Sequence, residues 1–185
     1  MLRPARSKSE AAPRADHRYD DVTLYNLDED VKQKILELQT ECTFIRGPKT
    51  NWAVGVLMTY VWRNGSFWVT ATTQRARIHA IRRDPARVGQ GLQRGNRARP
   101  RQGDHRQGTR DHPTDRETKD WFHPARAAAN IPTPGKLQDV FAMMLETDRR
   151  VVIEVVPEKW ITFDATKMMM ASIEAWREMG ILDED

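Results

Sequence analysis

The sequence predicts an α+β fold, mostly β with flanking helices, and three observations carry that expectation. The first is a long hairpin. Ala53–Trp62 is apolar and rich in β-branched and aromatic residues, Arg63-Asn64-Gly65-Ser66 follows, and Phe67–Thr72 returns. Asn-Gly between two apolar runs signals a hairpin, because both central positions of the favoured turn take positive φ. The second is a pair of amphipathic helices: Leu27, Val31, Ile35 and Leu38 mark one, and Leu137, Val140, Phe141, Met144 and Leu145 mark the other. The third is Val151–Val156, a nearly continuous apolar run that reads as a buried strand.

Composition narrows the class. The 185 residues suffice for one domain with a core. Only 39% are hydrophobic and mean hydropathy is −0.72, so part of the length is expected outside the core. A single cysteine, Cys42, excludes an internal disulfide and a cysteine-built metal site, and reads as a small buried hydrophobe rather than a nucleophile. No apolar run approaches the length of about 18 residues that spanning a membrane needs. The first residues contain no apolar signal core, so a cytoplasmic protein is expected. The net charge of +4 is unevenly distributed. Residues 86–112 hold seven Arg and two Asp, a local charge of +5, which leaves −1 for the remainder. The sequence pI of 9.4 therefore reflects one stretch, not a basic fold.

Taken in order, residues 1–25 read as a disordered tail, with an Arg-, Ala-, Pro- and Ser-rich start and no periodicity through Arg18. Leu27–Glu41 is predicted helical, with Asn26 and Glu29 at capping-box spacing and Cys42 extending its apolar stripe. Thr43-Phe44-Ile45 is a short strand, and Gly47-Pro48-Lys49 turns the chain into the hairpin. Trp52, Trp62 and Trp68 are expected in the core or at its rim, since the hairpin strands lack the interleaved cations of a single-strand nucleic-acid platform. After Thr72 the chain becomes the short basic helix Thr73–Arg83, ended by Asp84-Pro85. His79 has no carboxylate or second His at ligand spacing, and Arg82 and Arg83 read as a solvated face.

Beyond residue 112 the sequence is ordinary again. A helix is expected from Thr114 or Asp115 to Asn130, with Trp121, Phe122 and Ala125 on one face, Pro124 within it and His123 at its surface. Ile131–Gly135 is a loop, and Lys136–Thr147 is the second amphipathic helix. Val151–Val156 and Trp160–Asp164 are expected to form a closing hairpin. Thr166–Met179 is a final Met-rich helix suited to packing, including on a partner subunit, before the acidic end Asp183-Glu184-Asp185.

The junction after the hairpin carries the functional signal. A Thr-rich strand end that feeds a helix with two Arg in its first turn brings hydroxyls, helix-start amides and guanidinium groups together, which suits phosphate. Hairpin, polar strand end, basic helix and Asp-Pro together resemble the pyridoxamine 5'-phosphate oxidase-like flavoproteins, the split-barrel flavin or deazaflavin reductases. Arg75-Ala76-Arg77 stands where that family has Ser-Arg-Lys, and Asp84-Pro85 stands where it has Asn-Pro. Arg75 replaces the Ser and Ala76 the first Arg. The resemblance runs from about Leu27 to Asp164. It implies a flavin-binding split β-barrel over 26–165, with 166–185 as a C-terminal helix and acidic end. It also implies FMN or F420 as cofactor, bound near Thr70, Thr72, Thr73, Gln74, Arg75 and Arg77, no metal, and a homodimer acting on a small-molecule substrate. No Ser/His/Asp set, HExxH or Walker loop is present, which suits a reaction carried by a cofactor.

Residues 86–112 break this pattern. They hold five Gly and four Gln beside the seven Arg, and their apolar residues are Ala86, Val88, Leu92 and Ala98. The resemblance nevertheless requires two strands here. Read one nucleotide out of frame, the codons allowed for Gly95–His112 permit GTELGPGKATIVKGRAII, a Gly-rich turn followed by a strand. We read the stretch as a compensated frameshift, with a disordered 86–112, a damaged barrel and weak or absent cofactor binding as the expected consequence. The alternatives are a genuine Arg/Gly-rich loop, or a nucleic-acid-binding insert whose affinity falls steeply with salt. A third functional class, a non-catalytic flavin-binding protein of the same fold, shares every sequence feature with the oxidoreductase.

Overall fold

A computed structural model describes residues 22–46, 54–83, 88–91, 107–112 and 116–182. These contain α1 (Glu29–Leu38), β1 (Glu41–Arg46), β2 (Val54–Thr59), β3 (Val61–Arg63), β4 (Ser66–Thr72) and α2 (Ala76–Arg83). They continue with β5 (Val88–Gly91), β6 (Gln107–His112), α3 (Arg116–Asn130), α4 (Lys136–Leu145), β7 (Arg150–Pro157) and α5 (Ala165–Glu178). The α+β expectation holds. All pairings are antiparallel, in a three-stranded sheet of order β2-β1-β5 and a four-stranded sheet of order β3-β4-β7-β6. The chain divides into two compact units, Glu29–Trp160 and a second built from the two flanking segments.

The hairpin turn forms as read: Asn64 and Gly65 take φ of 52° and 75°. The strand before it differs from expectation. Ala53–Trp62 is not one strand. β2 pairs with β1, whereas β3 pairs with β4 in the other sheet. Tyr60 sits at the joint. Its amide donates to Thr40 O at 2.8 Å and its hydroxyl to Leu36 O at 2.9 Å. An unbroken apolar run records burial but not a change of partner.

The main core lies on one face of β4 and β7. Phe67, Val69 and Ala71 stand opposite Val155, Ile153 and Val151, and Phe44, Met58, Leu36 and Ile78 pack with them. A smaller cluster covers the other face, where Trp68 and Val152 meet Phe122 of α3. Trp62 packs against the main core and Trp68 is buried, as expected of both; Trp52 lies outside the described residues. Cys42 is likewise buried, and burial, helped by the charge of Glu41, pushes its thiol up to about 12.

Several expectations need correction. The α1 stripe is rotated: Leu36 is 1% exposed whereas Leu38 is 81% exposed, because Tyr60 and the strands meet the helix at Leu36. The helix begins at Glu29, so Asn26 is not its cap; its Oδ1 accepts from Thr162 Oγ1 instead. His123 is buried, not superficial, and Glu146, just beyond α4, accounts for it, lying 3.2 Å from Nδ1. Trp160–Asp164 forms no strand. In the flanking unit Asp164 N donates to Tyr25 O at 2.6 Å, Leu27 N donates to Thr162 Oγ1, and Asp164 caps α5 by accepting from Thr166 N and Lys167 N. Of the backbone groups that a ladder would have used, Asp164 N is satisfied in this way.

The expectation of disorder over 86–112 also fails at its two ends. Residues 88–91 pair with β1, and 107–112 pair with β7 over a six-residue register from Gln107↔Pro157 to His112↔Val152. A ladder is built from backbone N–H and C=O groups, so β1 and β7 can template a strand whose composition is polar. Both added strands are at sheet edges, where charged residues are tolerated. Residues 92–106, which hold most of the Arg/Gly composition, lie outside the described residues, as do the tail, Gly47-Pro48-Lys49 and Asp84-Pro85.

Candidate phosphate-binding cleft

The last residues of β4 and the start of α2 define the candidate site. β4 is buried on both faces, so its path is set by the core, and its Thr72 stands opposite Arg150 at the start of β7. Thr73 N donates to Arg149 O at 2.6 Å, which anchors the chain as it leaves the sheet. Arg75 N then donates to Thr72 O at 3.0 Å and Ile78 N to Arg75 O at 2.9 Å, turning the backbone into α2 at Ala76. Ile78, Ala80 and Ile81 bury the inner face of α2, leaving Arg75, Arg82 and Arg83 exposed and Arg77 half-buried.

A cleft of about 240 Å³ opens beside this junction. Glu41 of β1, Leu57, Met58 and Thr59 of β2, Thr70 of β4, Arg77 of α2 and Arg126 of α3 line it. Of the residues expected at the site, Thr70 and Arg77 meet here. Thr72 ends β4 and Thr73, Gln74 and Arg75 form the adjoining turn; none of the four lines the cleft. Thr70 is buried and its hydroxyl donates to Val151 O at 2.8 Å, so its hydrogen is committed and its oxygen is left to accept.

Two cations were not foreseen. Arg126 reaches the cleft from α3, and Arg150 stands opposite Thr72. Nε and Nη1 of Arg126 and Nε of Arg150 are buried and make no hydrogen bond among the described residues. Burial lowers the pKa of Arg126 below the usual guanidinium value, the charge of Arg150 lowers it further, and Glu41 opposes both. Arg150 is lowered by burial and then by the charge of Arg75. Arginine stays protonated in proteins, so these directions describe cations held close together against their mutual repulsion. A weak sequence signal existed for each. Arg126 interrupts the alanine-rich turn Ala125–Ala129, and Arg150 directly precedes an apolar strand.

No family model matches the sequence, and no curated protein matches it. Solved structures do. A conserved hypothetical protein of Mycobacterium tuberculosis superposes with a TM-score of 0.61 at 14% identity, covering 87% of this chain and 92% of its own. A FAD-binding protein of Mesorhizobium loti gives 0.50 at 15% identity, over 72% of this chain and 92% of its own. A pyridoxinephosphate oxidase family protein of Clostridium acetobutylicum gives 0.50 at 11%, over 77% and 99%. The chain has the fold of that family. The resemblance read from the hairpin, the basic helix and Asp84-Pro85 is thus borne out in the fold. Among the described residues, no helix is long and apolar enough to cross a membrane.

Proposed function

We propose that the chain is a flavin- or deazaflavin-dependent oxidoreductase of the pyridoxamine 5'-phosphate oxidase-like family. It would bind FMN or F420 through phosphate, act on a small-molecule substrate, and work as a cytoplasmic homodimer. The observation that carries this reading is the convergence of Arg77 and Arg126 on one cleft at the β4–α2 junction, in a fold shared with a FAD-binding protein.

The residues fit the group. Buried guanidinium N–H groups without acceptors are costly, and phosphate oxygens supply acceptors of opposite charge. Arg75 and Arg77 would hold the phosphate, with Thr72, Thr73 and Gln74 bordering it, and Leu57 and Met58 provide an apolar wall to the cleft. When bound, the ring system of the cofactor supplies two-electron hydride chemistry. The protein binds, orients and limits access of water. A second reading, non-catalytic cofactor binding, is favoured by the same neighbour, which is described as binding FAD and not by a reaction.

The test is direct titration of the purified chain with FMN and with F420, followed by fluorescence and by size-exclusion chromatography. Saturable quenching with one of them supports the reading, and no binding of either refutes it. Turnover of bound cofactor with a hydride donor separates the enzyme from the binding protein.

A further inference from the structure

The resemblance supplies two phosphate-binding cations, Arg75 and Arg77, but the structure places two more beside them. We infer that Arg126 of α3 and Arg150 of β7 bind the phosphate as well, and that the charge they add selects a doubly ionised phosphomonoester over a singly charged diester. This rests on the cofactor reading above and deepens it, because FMN ends in a monoester whereas the phosphorus of F420 is a diester.

Three observations carry the inference. The N–H groups of Arg126 and Arg150 that are buried have no acceptor among the described residues. Arg126 lines the cleft with Arg77, and Arg150 stands on β7 opposite Thr72, the strand end that leads into Arg75. Finally, Arg77 and Arg126 line the cleft, Arg75 and Arg150 stand at the junction beside it, and Glu41 is the one carboxylate among the lining residues. Bringing that many cations together is unfavourable until an anion arrives. A dianion offsets more of their repulsion than a monoanion, and its three terminal oxygens can accept from several guanidinium groups at once. Arginine suits the task, since it remains charged when partly buried and presents its donors in a planar fork.

The experiment titrates the full chain and its Arg126→Gln, Arg126→Lys and Arg150→Gln variants with FMN, riboflavin and inorganic phosphate, with a dialkyl phosphate as competitor. Lys34→Gln, on the exposed face of α1, is the control, and a thermal melt verifies that each variant folds. We expect Arg126→Gln and Arg150→Gln each to weaken FMN at least tenfold and riboflavin less than twofold. Arg126→Lys falls between, inorganic phosphate competes, and the dialkyl phosphate does not. If FMN binds and the Gln variants bind it equally well, the inference is overturned and the cofactor reading stands. If the dialkyl phosphate competes as well as phosphate, the selection for a dianion is overturned. If no flavin binds but phosphate does, and the variants lose it, the anion site stands and the cofactor reading fails. If neither binds, both fall. Should the Gln variants not fold, Arg126→Lys decides, because it keeps the charge and loses the fork.

Discussion

Replacing Tyr60 by Phe removes a single oxygen from the joint between the two sheets, and its effect can be worked out in advance. The hydroxyl donates to Leu36 O at 2.9 Å, and both residues are 1% exposed. Phe keeps the ring and its edge contact with Phe67, whose centroid lies 5.0 Å away, so the packing contribution is conserved. What changes is polar. One hydrogen bond disappears, and a carbonyl in the last turn of α1, which has no helical partner to fall back on, is left buried. An unsatisfied buried acceptor costs about 1–3 kcal/mol. At about 2–4 °C per kcal/mol for a chain of this size, Tyr60→Phe is expected to lower Tm by about 2–12 °C. The alkaline limb gives a second readout. Burial, and then the neighbouring Cys42, raise the Tyr60 phenol above its usual pKa. The unfolded chain therefore ionises first. The contribution of Tyr60 is complete below the unfolded pKa of about 10 and is lost as pH rises toward the folded value. Thermal melts from pH 7 to pH 11 measure both effects. The wild type loses stability more steeply than Tyr60→Phe above pH 10, and Cys42 contributes a slope common to both. A variant that melts within 1 °C of wild type throughout would refute the claim that this hydroxyl ties α1 to the joint.

Further outcomes follow from the same structure. The nucleotide sequence of codons 95–112, translated from the neighbouring frame, is expected to encode a Gly-rich turn and strand; an out-of-frame reading rich in stop codons or Pro would refute the frameshift. His123 has a lowered pKa, because burial and the charges of Lys119 and Arg150 outweigh Glu146. The unfolded chain then takes up the proton first, so stability is complete above about pH 6.5 and falls below it toward the folded pKa, a slope that His123→Gln should flatten in urea midpoints between pH 5 and 8. Phe122→Ala empties the centre of the smaller cluster, where Phe122 is 0% exposed, and is expected to lower stability by about 3–5 kcal/mol in the same assay.

The local features were legible because local physics determines them. Asn64-Gly65 takes positive φ because few other pairs do so without strain, and the turn forms where it was read. The short basic helix starts within three residues of its expected position, because a polar break and buried apolar positions at helical spacing are both present in the chain. Of the six residues expected at the site, two from the same stretch, Thr70 and Arg77, lie on the cleft.

What only the tertiary structure decided depends on partners distant in the chain. Tyr60 divides one apolar run between two sheets because Thr40 and Leu36 accept its hydrogen bonds. His123 is buried because Glu146 stands beside it, and Trp160–Asp164 bonds to the segment at Tyr25 and Leu27 rather than to β7. Residues 107–112 become a strand because β7 offers a backbone ladder, which side-chain composition does not reveal. Arg126 reaches the cleft through the packing of α3, and Arg150 meets Thr72 through the β4–β7 pairing. By itself the sequence determined the turn and the helices and pointed to phosphate at one junction, since those depend on neighbours within a few residues. The meeting of Arg77 and Arg126 on one cleft, with Arg75 and Arg150 beside it, depends on strand pairing and helix packing across more than seventy residues, and only folding brings those groups within electrostatic reach.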